Sequence, residues 1–301
     1  MEKKKILFIY NPKAGKAKIK SNLLDIIDIF TKAGYEVTAY PTQAKGDGRK
    51  AVVERRLGYY DMIACSGGDG TLDEVVTGMM GCDHRLPIGY VPAGSTNDFA
   101  RSLQIPRNMI HAARTIVEGK DFGCDIGTFN DDIFVYIAAF GVFTEVSYET
   151  RQDMKNVLGH MAYLLEGMRS LSTVKTYKMK VECEALKAEG EFLYGMITNS
   201  LSVGGFKNIT GKYVQLDDGE FEVTLIKKPS NVAELNQLAT ALVNRNVISD
   251  CIYCFKTSSI KITSEEEVAW TLDGEFGGRH KEVCIENCRQ AIKIKVPDMA
   301  E

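Results

Sequence analysis

Three stretches carry side chains whose types and spacing could do chemistry. The first is Ser66-Gly67-Gly68-Asp69-Gly70-Thr71, preceded by Met62-Ile63-Ala64-Cys65 and followed by the helix-forming run Leu72-Asp73-Glu74-Val75-Val76. A strand that delivers such a loop to a helix turns its backbone N–H groups, and the positive end of the helix, toward one point. Glycines let a ligand come close with no Cβ in the way, which suits a phosphate. Asp69 does not suit a phosphate, which gives it a further role, either holding a divalent cation against the phosphates or orienting a hydroxyl. The second stretch, Leu216-Asp217-Asp218-Gly219-Glu220, reads as an ordinary Asp-Gly hairpin turn or as a cation site built from one carboxylate and neighbouring carbonyls. The third, Asp273-Gly274-Glu275, follows Trp270-Thr271-Leu272. A carboxylate at such a strand end is placed to accept a proton from a substrate hydroxyl. His84, His111, His160 and His280 have no spacing that suggests a metal or a base, and read as structural.

The elements that position these residues follow from the apolar pattern. Ile6–Tyr10, Glu36–Tyr40, Met62–Ser66 and Leu86–Val91 read as strands, the first a continuous apolar run expected of a strand buried on both faces. Between them, helices are expected from Ile19 to Ala33 (closed by Gly34), over Arg49–Leu57 and from the glycine loop to about Met80, with a further one over Asn108–Glu118. Alternating strands and helices give a parallel sheet covered on both faces. The loops after Tyr10, Tyr40, Ser66 and Val91 then open on one sheet edge, where ligands sit in open α/β sheets. Three of them are rich in glycine, hydroxyls or lysine: Asn11-Pro12-Lys13-Ala14-Gly15-Lys16, the glycine loop, and Pro92-Ala93-Gly94-Ser95-Thr96-Asn97-Asp98, where Asn97 or Asp98 can cap the next helix. Gly15-Lys16-Ala17 lacks the ending of a Walker A loop. Together the loops indicate a nucleotide site.

The texture changes near Asp121. Ile133–Val142 reads as a strand and Met154–Leu171 as a long helical segment. Strands are then expected over Tyr177–Glu184, Phe192–Asn199, Phe221–Ile226, Ile252–Phe255, Ile260–Thr263, Val268–Leu272, Val283–Glu286 and Ile292–Val296, with one helix near Val232–Asn244. Alternation such as Lys178-Met179-Lys180-Val181-Glu182 marks half-exposed antiparallel strands. The expected fold is therefore α/β in two domains. Residues 1–126 form a parallel nucleotide-binding α/β domain, to which 291–301 is a candidate to return. Residues 127–290 form a mainly antiparallel β domain, with the active site in the cleft between the two.

Composition adds bounds. The chain has 301 residues, 45% hydrophobic and 26% charged, as globular domains do. A formal net charge of −3 argues against a nucleic-acid partner. No apolar run reaches the ~18–20 residues of a membrane span, and Met1-Glu2-Lys3-Lys4-Lys5 opens no signal peptide. A cytoplasmic protein with eight reduced cysteines is expected. Cys251-x-x-Cys254 and Cys284-x-x-x-Cys288 could be drawn as a zinc site, but cysteines three apart on a strand face opposite ways. Buried small thiols are the plainer expectation.

In this order, Asn11-Pro12-Lys13-Ala14-Gly15, Gly67-Gly68-Asp69-Gly70-Thr71, Pro92-Ala93-Gly94-Ser95-Thr96-Asn97-Asp98, Leu216-Asp217-Asp218-Gly219 and Asp273-Gly274-Glu275 form a set. Over essentially its whole length the chain resembles the diacylglycerol kinase catalytic-domain family, in particular its soluble bacterial lipid kinases, within a superfamily shared with NAD kinases. The C-terminal domain would then be a β-sandwich. The resemblance implies ATP held by Asn11, Pro12, Lys13, Ala14, Gly15 and Lys16, by Gly67, Gly68, Asp69, Gly70, Thr71 and Glu74, and by Gly94, Ser95, Thr96 and Asn97, with Thr42 nearby. Ser95 stands where a threonine is frequent and keeps the hydroxyl. Asp69 would organise catalytic Mg2+ and Glu275 would be the general base. A structural Mg2+ would sit on Asp218 and the carbonyls of Gln215 and Glu220, connected through Asp98, Arg101 and Asp125.

The implied activity is transfer of the γ-phosphate of ATP to diacylglycerol, giving phosphatidic acid. Other acceptors stay open: a sphingoid base, phosphatidylglycerol, a polyprenol or, least fitting, NAD. A silent lipid- or nucleotide-binding regulator is the non-enzymatic alternative. A lipid acceptor implies transient peripheral contact with the inner face of the membrane, and a homodimer is a candidate assembly.

Overall fold

A computed structural model of the chain describes residues 3–55, 57–141, 175–200, 202–203, 206–207, 214–243 and 250–298. The expected helix over Met154–Leu171, with His160, lies outside the described residues, as does Asn244 at the end of another. The chain divides into two units, Met1–Asp125 with Arg289–Glu301, and Ile126–Cys288.

In the first unit β1 (Lys4–Tyr10) is the apolar run, and Ile6 through Ile9 are fully buried. It leads through a turn, α1 (Ala14–Ala17), to α2 (Ile19–Lys32) and β2 (Tyr35–Pro41). Gly34, at φ 90°, closes α2 by donating to the carbonyl of Thr31, as a left-handed C′ residue should. Next come α3 (Asp47–Val53), β3 (Met62–Gly67), α4 (Asp69–Met80) and β4 (Ile88–Pro92). α5 (Asp98–Ser102) and α6 (Met109–Glu118) follow, the latter capped by Asn108, whose side chain accepts from the amides of Ile110 and His111. The four strands pair in parallel in the order β4-β3-β1-β2, so their carboxyl ends share one edge. α2 packs beside α6, and α3 against α4, where the Cβ position of Gly78 is already filled by Val52. The chain returns at its end: Ile294 pairs with Ile88, Arg85 donates to the carbonyl of Ala291, and Lys295 pairs with Asp121 at 2.7 Å.

The second unit contains the end of β5 (Lys120–Phe129), then β6 (Asp132–Phe134), β7 (Ile137–Gly141), β8 (Tyr177–Glu182) and β9 (Lys187–Thr198). After the two-residue strands β10 (Ser202–Val203) and β11 (Phe206–Lys207) come β12 (Phe221–Lys227), the helix Val232–Val243, β13 (Ile252–Thr257), β14 (Ser259–Leu272) and β15 (Glu275–Val296), which ends in the first unit. The long strands β9 and β14 each serve two neighbourhoods. The first half of β9 pairs with β8 and its second half with β7 and β12, while β14 pairs with β15 along both its halves, with β8 early and with β7 late. Every pairing among them is antiparallel, and the strands enclose a core centred on Trp270, whose ring lies 4.8 Å from Phe140 and 5.1 Å from Phe129.

Several elements differ from the sequence pattern. Ala14–Ala17 is no ordinary helical turn, because Gly15, Lys16 and Ala17 all have φ between 52° and 63°. The expected strand Ile133–Val142 is broken at Val135-Tyr136 into β6 and β7. Two pairs of expected strands fuse into β14 and β15, and β5 has no counterpart in the expectation. The buried-thiol reading holds for Cys251, whereas Cys254 and Cys284 are exposed.

Candidate active site

The carboxyl edge of the parallel sheet is laced together by backbone. Asn11 donates its amide to the carbonyl of Ser66 (2.8 Å), Thr42 to that of Tyr10 (2.9 Å) and Ala93 to that of Gly67 (2.7 Å). The glycines allow the loops to touch: a Cβ on Gly15 would stand 1.6 Å from the carbonyl oxygen of Ala93, and one on Gly94 would stand 2.7 Å from Cα of Gly68. Three of the four strand-end loops are thus one surface. Lys13, Lys16 and Ser95 are exposed on them, and Pro12, Ala14 and Thr96 are partly buried. The amide of Lys13 is held by Asn11 Oδ1. Gly70 is exposed, while Thr71 is buried under Gly67.

Asn97 stands at the N-cap position of α5, yet its side chain does not cap. At φ 51° it folds back, Oδ1 accepting from the amide of Gly94 and Nδ2 donating to the carbonyl of Gly94, both at 2.9 Å. Asn97 therefore shapes the third loop. Glu74 shapes the approach from β2: its two oxygens accept the amides of Gly46 (2.7 Å) and Gly48 (2.9 Å). The Thr42 hydroxyl lies 3.4 Å from the carbonyl oxygen of Tyr10.

At the centre lies Asp69, the first residue of α4. Its Oδ2 is 3.4 Å from the Thr96 hydroxyl, and its carboxylate receives backbone hydrogen bonds from Asp98 and Phe99. Its Oδ1 is buried and has no hydrogen-bond partner among the described residues, and neither has the neighbouring Ser66 hydroxyl. Burial first, and the charge of Asp98 second, raise the Asp69 pKa, against which the hydrogen bonds act. A buried carboxylate oxygen with no donor, its ionisation further opposed by a second carboxylate, carries an uncompensated cost when charged. Tyr90, which sequence reasoning passed over, lies beneath. Its hydroxyl donates to the carbonyl of Gly67 at 3.1 Å, and burial and the charge of Asp69 push its pKa well up. The only sequence signal was a tyrosine in a strand of otherwise small and aliphatic residues.

Asp98 is buried, and so is Asp125, whose Oδ1 accepts the amide of Gln290 at 2.7 Å. Arg101 is partly buried on α5.

In the second unit, Asp273 (φ 50°) and Gly274 (φ 84°) form the two-residue turn between the paired Leu272 and Glu275. These left-handed conformations are what a tight hairpin needs. Glu275 is partly buried. Gln215 is exposed, and Asp218 is engaged on both oxygens: Oδ1 by the amide of Glu220 (3.0 Å) and Oδ2 by the ammonium of Lys256 (2.7 Å). Lys256 also reaches Glu222 Oε1 at 3.3 Å. The carboxylate expected to hold a second cation thus already holds a lysine, and no group of His, Cys, Asp and Glu suited to a metal stands among the described residues.

Glu222 has a consequence for stability. Burial pushes its pKa up to about 7 from 4.5, with Lys256 pulling the other way. The folded chain then holds this proton more tightly than the unfolded chain, so the contribution favours folding below about pH 4.5 and is lost as pH rises through about 7. Glu222→Gln, which removes the titration, is expected to gain on wild type by about 1–3 kcal/mol between pH 5 and pH 8. Denaturation midpoints measured at both pH values check this; curves that shift in parallel would refute it.

A parallel sheet that gathers glycine loops around one buried carboxylate is the apparatus of a nucleotide-using phosphotransferase, which must position phosphates and offset their charge. Comparison with known proteins narrows that class. Residues 5–129 match the model of the diacylglycerol kinase catalytic domain, and residues 137–294 that of the YegS C-terminal NAD kinase beta sandwich-like domain. The chain is 36% identical over 277 residues to a diacylglycerol kinase of Bacillus subtilis (strain 168), covering 91% of each chain. It is 34% identical over 299 residues to that of Staphylococcus carnosus (strain TM300), covering 98% of this chain and 96% of the relative. A crystal structure of a candidate diacylglycerol kinase from Bacillus anthracis str. Sterne superposes with a TM-score of 0.82 at 26% identity, over 99% of this chain and 97% of that one. The chain belongs to the diacylglycerol kinase family, and it is a lipid kinase with the family's use of ATP. No described helix is long and apolar enough to cross a membrane.

Proposed function

We propose that the chain transfers the γ-phosphate of ATP to the free hydroxyl of diacylglycerol, giving phosphatidic acid and ADP. The observation that carries this reading is Asp69 Oδ1, a buried carboxylate oxygen without a donor, set in a loop of glycine backbones at the start of α4. The relatives named diacylglycerol kinase support the choice of acceptor. Mg2+ held by Asp69 would supply positive charge beside the phosphates. The backbone of Gly67 to Gly70 and the Gly94 loop bind and orient the phosphates, and Lys13 and Lys16 offset their charge. Glu275 accepts the hydroxyl proton as the acceptor oxygen bonds to the γ-phosphorus and the bond to the β-phosphate oxygen breaks. An acceptor that lives in a bilayer brings the protein to the membrane surface.

Labelled ATP tested against diacylglycerol, monoacylglycerol, ceramide, sphingosine, phosphatidylglycerol, a polyprenol and NAD decides the acceptor. Label in diacylglycerol above all others is expected; preferential labelling of any other acceptor overturns the reading. Glu275→Gln is expected to lose about 10²–10⁴-fold in kcat while keeping the wild-type unfolding midpoint. Undiminished turnover in that variant would sink the base assignment.

A further inference from the structure

The break between β6 and β7 has a cause in a distant turn. Where Val135 and Tyr136 leave the ladder, the carboxylate of Asp273 receives three successive amides: Val135 on Oδ2 at 2.6 Å, and Tyr136 and Ile137 on Oδ1 at 2.9 and 3.0 Å. The backbone of Asp273 is tied in as well. Its amide donates to the carbonyl of Ile137 at 2.9 Å, and its carbonyl accepts from the Tyr136 hydroxyl at 3.2 Å. Tyr136 is held in turn, since its carbonyl accepts the amide of Asn199 at 3.0 Å, just past the end of β9. Five hydrogen bonds therefore connect one residue of a two-residue turn to three consecutive residues about 137 positions earlier in the chain.

A two-residue hairpin turn with an Asp-Gly pair needs none of this to form. Its ordinary fate is a solvated tip, whose next residue wavers with the turn. Here Asp273 sits at φ 50°, in the left-handed region, with both carboxylate oxygens already accepting hydrogen bonds from the segment that carries β6 into β7. Charge-assisted bonds to backbone amides are about twice as strong as neutral ones. With its acceptor capacity largely used in this way, Asp273 is poorly placed to take a substrate proton. What it fixes is the direction in which the chain leaves the turn, and the first residue out is Glu275.

We propose that Asp273 is the positioning residue of the kinase reaction: it clamps the β14–β15 turn to Val135, Tyr136 and Ile137 so that the Glu275 carboxylate is held in line with the acceptor hydroxyl. This rests on the reading of Glu275 as the base. A misplacement of about 1 Å in such a group costs on the order of 10²-fold in rate. Glu275 keeps its chemistry when Asp273 is removed, but loses its aim.

The test is a double-mutant cycle with labelled ATP and diacylglycerol. Asp273→Ala is expected to lower kcat about 10²-fold with KM for ATP unchanged. Asp273→Asn keeps one acceptor oxygen and is expected to fall less, and it serves should the alanine variant fail to fold. In the Glu275→Gln background, Asp273→Asn is expected to cost nothing more, because there is no base left to aim. A further loss in that background, equal to the loss in wild type, would show a general structural role and overturn the proposal. Wild-type kcat in both Asp273 variants, with Glu275→Gln inactive, overturns the positioning role and leaves the base assignment standing. Wild-type kcat in Glu275→Gln removes the base assignment and this inference with it.

Discussion

Asp69→Asn is expected to lower kcat by about 10²–10³-fold, the size of effect seen when one preorganised charge-stabilising group is removed, and to leave the fold no less stable than wild type. The two halves of this expectation have one cause. Asp69 Oδ1 is buried without a donor, and both burial and the neighbouring Asp98 oppose its ionisation. In the bare protein the ionised carboxylate is a cost, which asparagine relieves while keeping the shape and the contact toward Thr96. In the proposed mechanism that charge is what a cation beside the phosphates needs, and asparagine supplies only a neutral carbonyl. Turnover by labelled-ATP assay and an unfolding midpoint without nucleotide or metal read the two effects separately. A variant that keeps turnover removes Asp69 from the mechanism. A variant that loses turnover and also melts well below wild type makes the residue structural.

The parallel sheet was legible because buried strands announce themselves. Ile6-Leu7-Phe8-Ile9 has no polar interruption, and Met62 to Gly67 is buried throughout, so each strand end and the loop that follows it could be placed on one edge. The glycine loop was legible for the same reason, together with Asp69. The cross-links were not. Glu74 bracing Gly46 and Gly48, and Tyr90 under Gly67, are side chains whose partners lie in another loop, and composition carries no record of such pairings. The sequence pattern of β15 shows two short strands because Arg279-His280-Lys281-Glu282 and Asn287-Cys288-Arg289-Gln290 look like polar linkers, although a strand continues where its backbone is paired, whatever its side chains. The sequence shows Asp273 only as part of a turn motif. Its carboxylate interrupts the expected strand Ile133–Val142, and the apolar run itself gives no hint that three of its amides are diverted. Lys256 on Asp218 was likewise invisible, since 38 residues separate them.

The second large effect is expected at a residue with no chemistry of its own. Gly15→Ala should raise KM for ATP more than tenfold and lower stability by about 3 kcal/mol or more, a steric clash added to the ~1–2 kcal/mol of a left-handed alanine. Gly15 has φ 52°, and its missing Cβ would stand 1.6 Å from the carbonyl oxygen of Ala93, a backbone atom that cannot rotate aside. To admit a methyl group the loop after β1 must part from the loop after β4, and these are two of the loops proposed to bind the phosphates. Lys13 and Lys16 would move with the first of them. Gly34→Ala is the control. At φ 90° it bears a comparable left-handed strain, but no atom lies within 4 Å of its Cβ position and it closes α2 away from the loops. That variant should lose about 1 kcal/mol with KM for ATP unchanged. The difference between the two variants, measured by nucleotide titration and denaturant unfolding, isolates the contact with Ala93. Equal KM values in the two would mean that the joined loops do not hold the nucleotide.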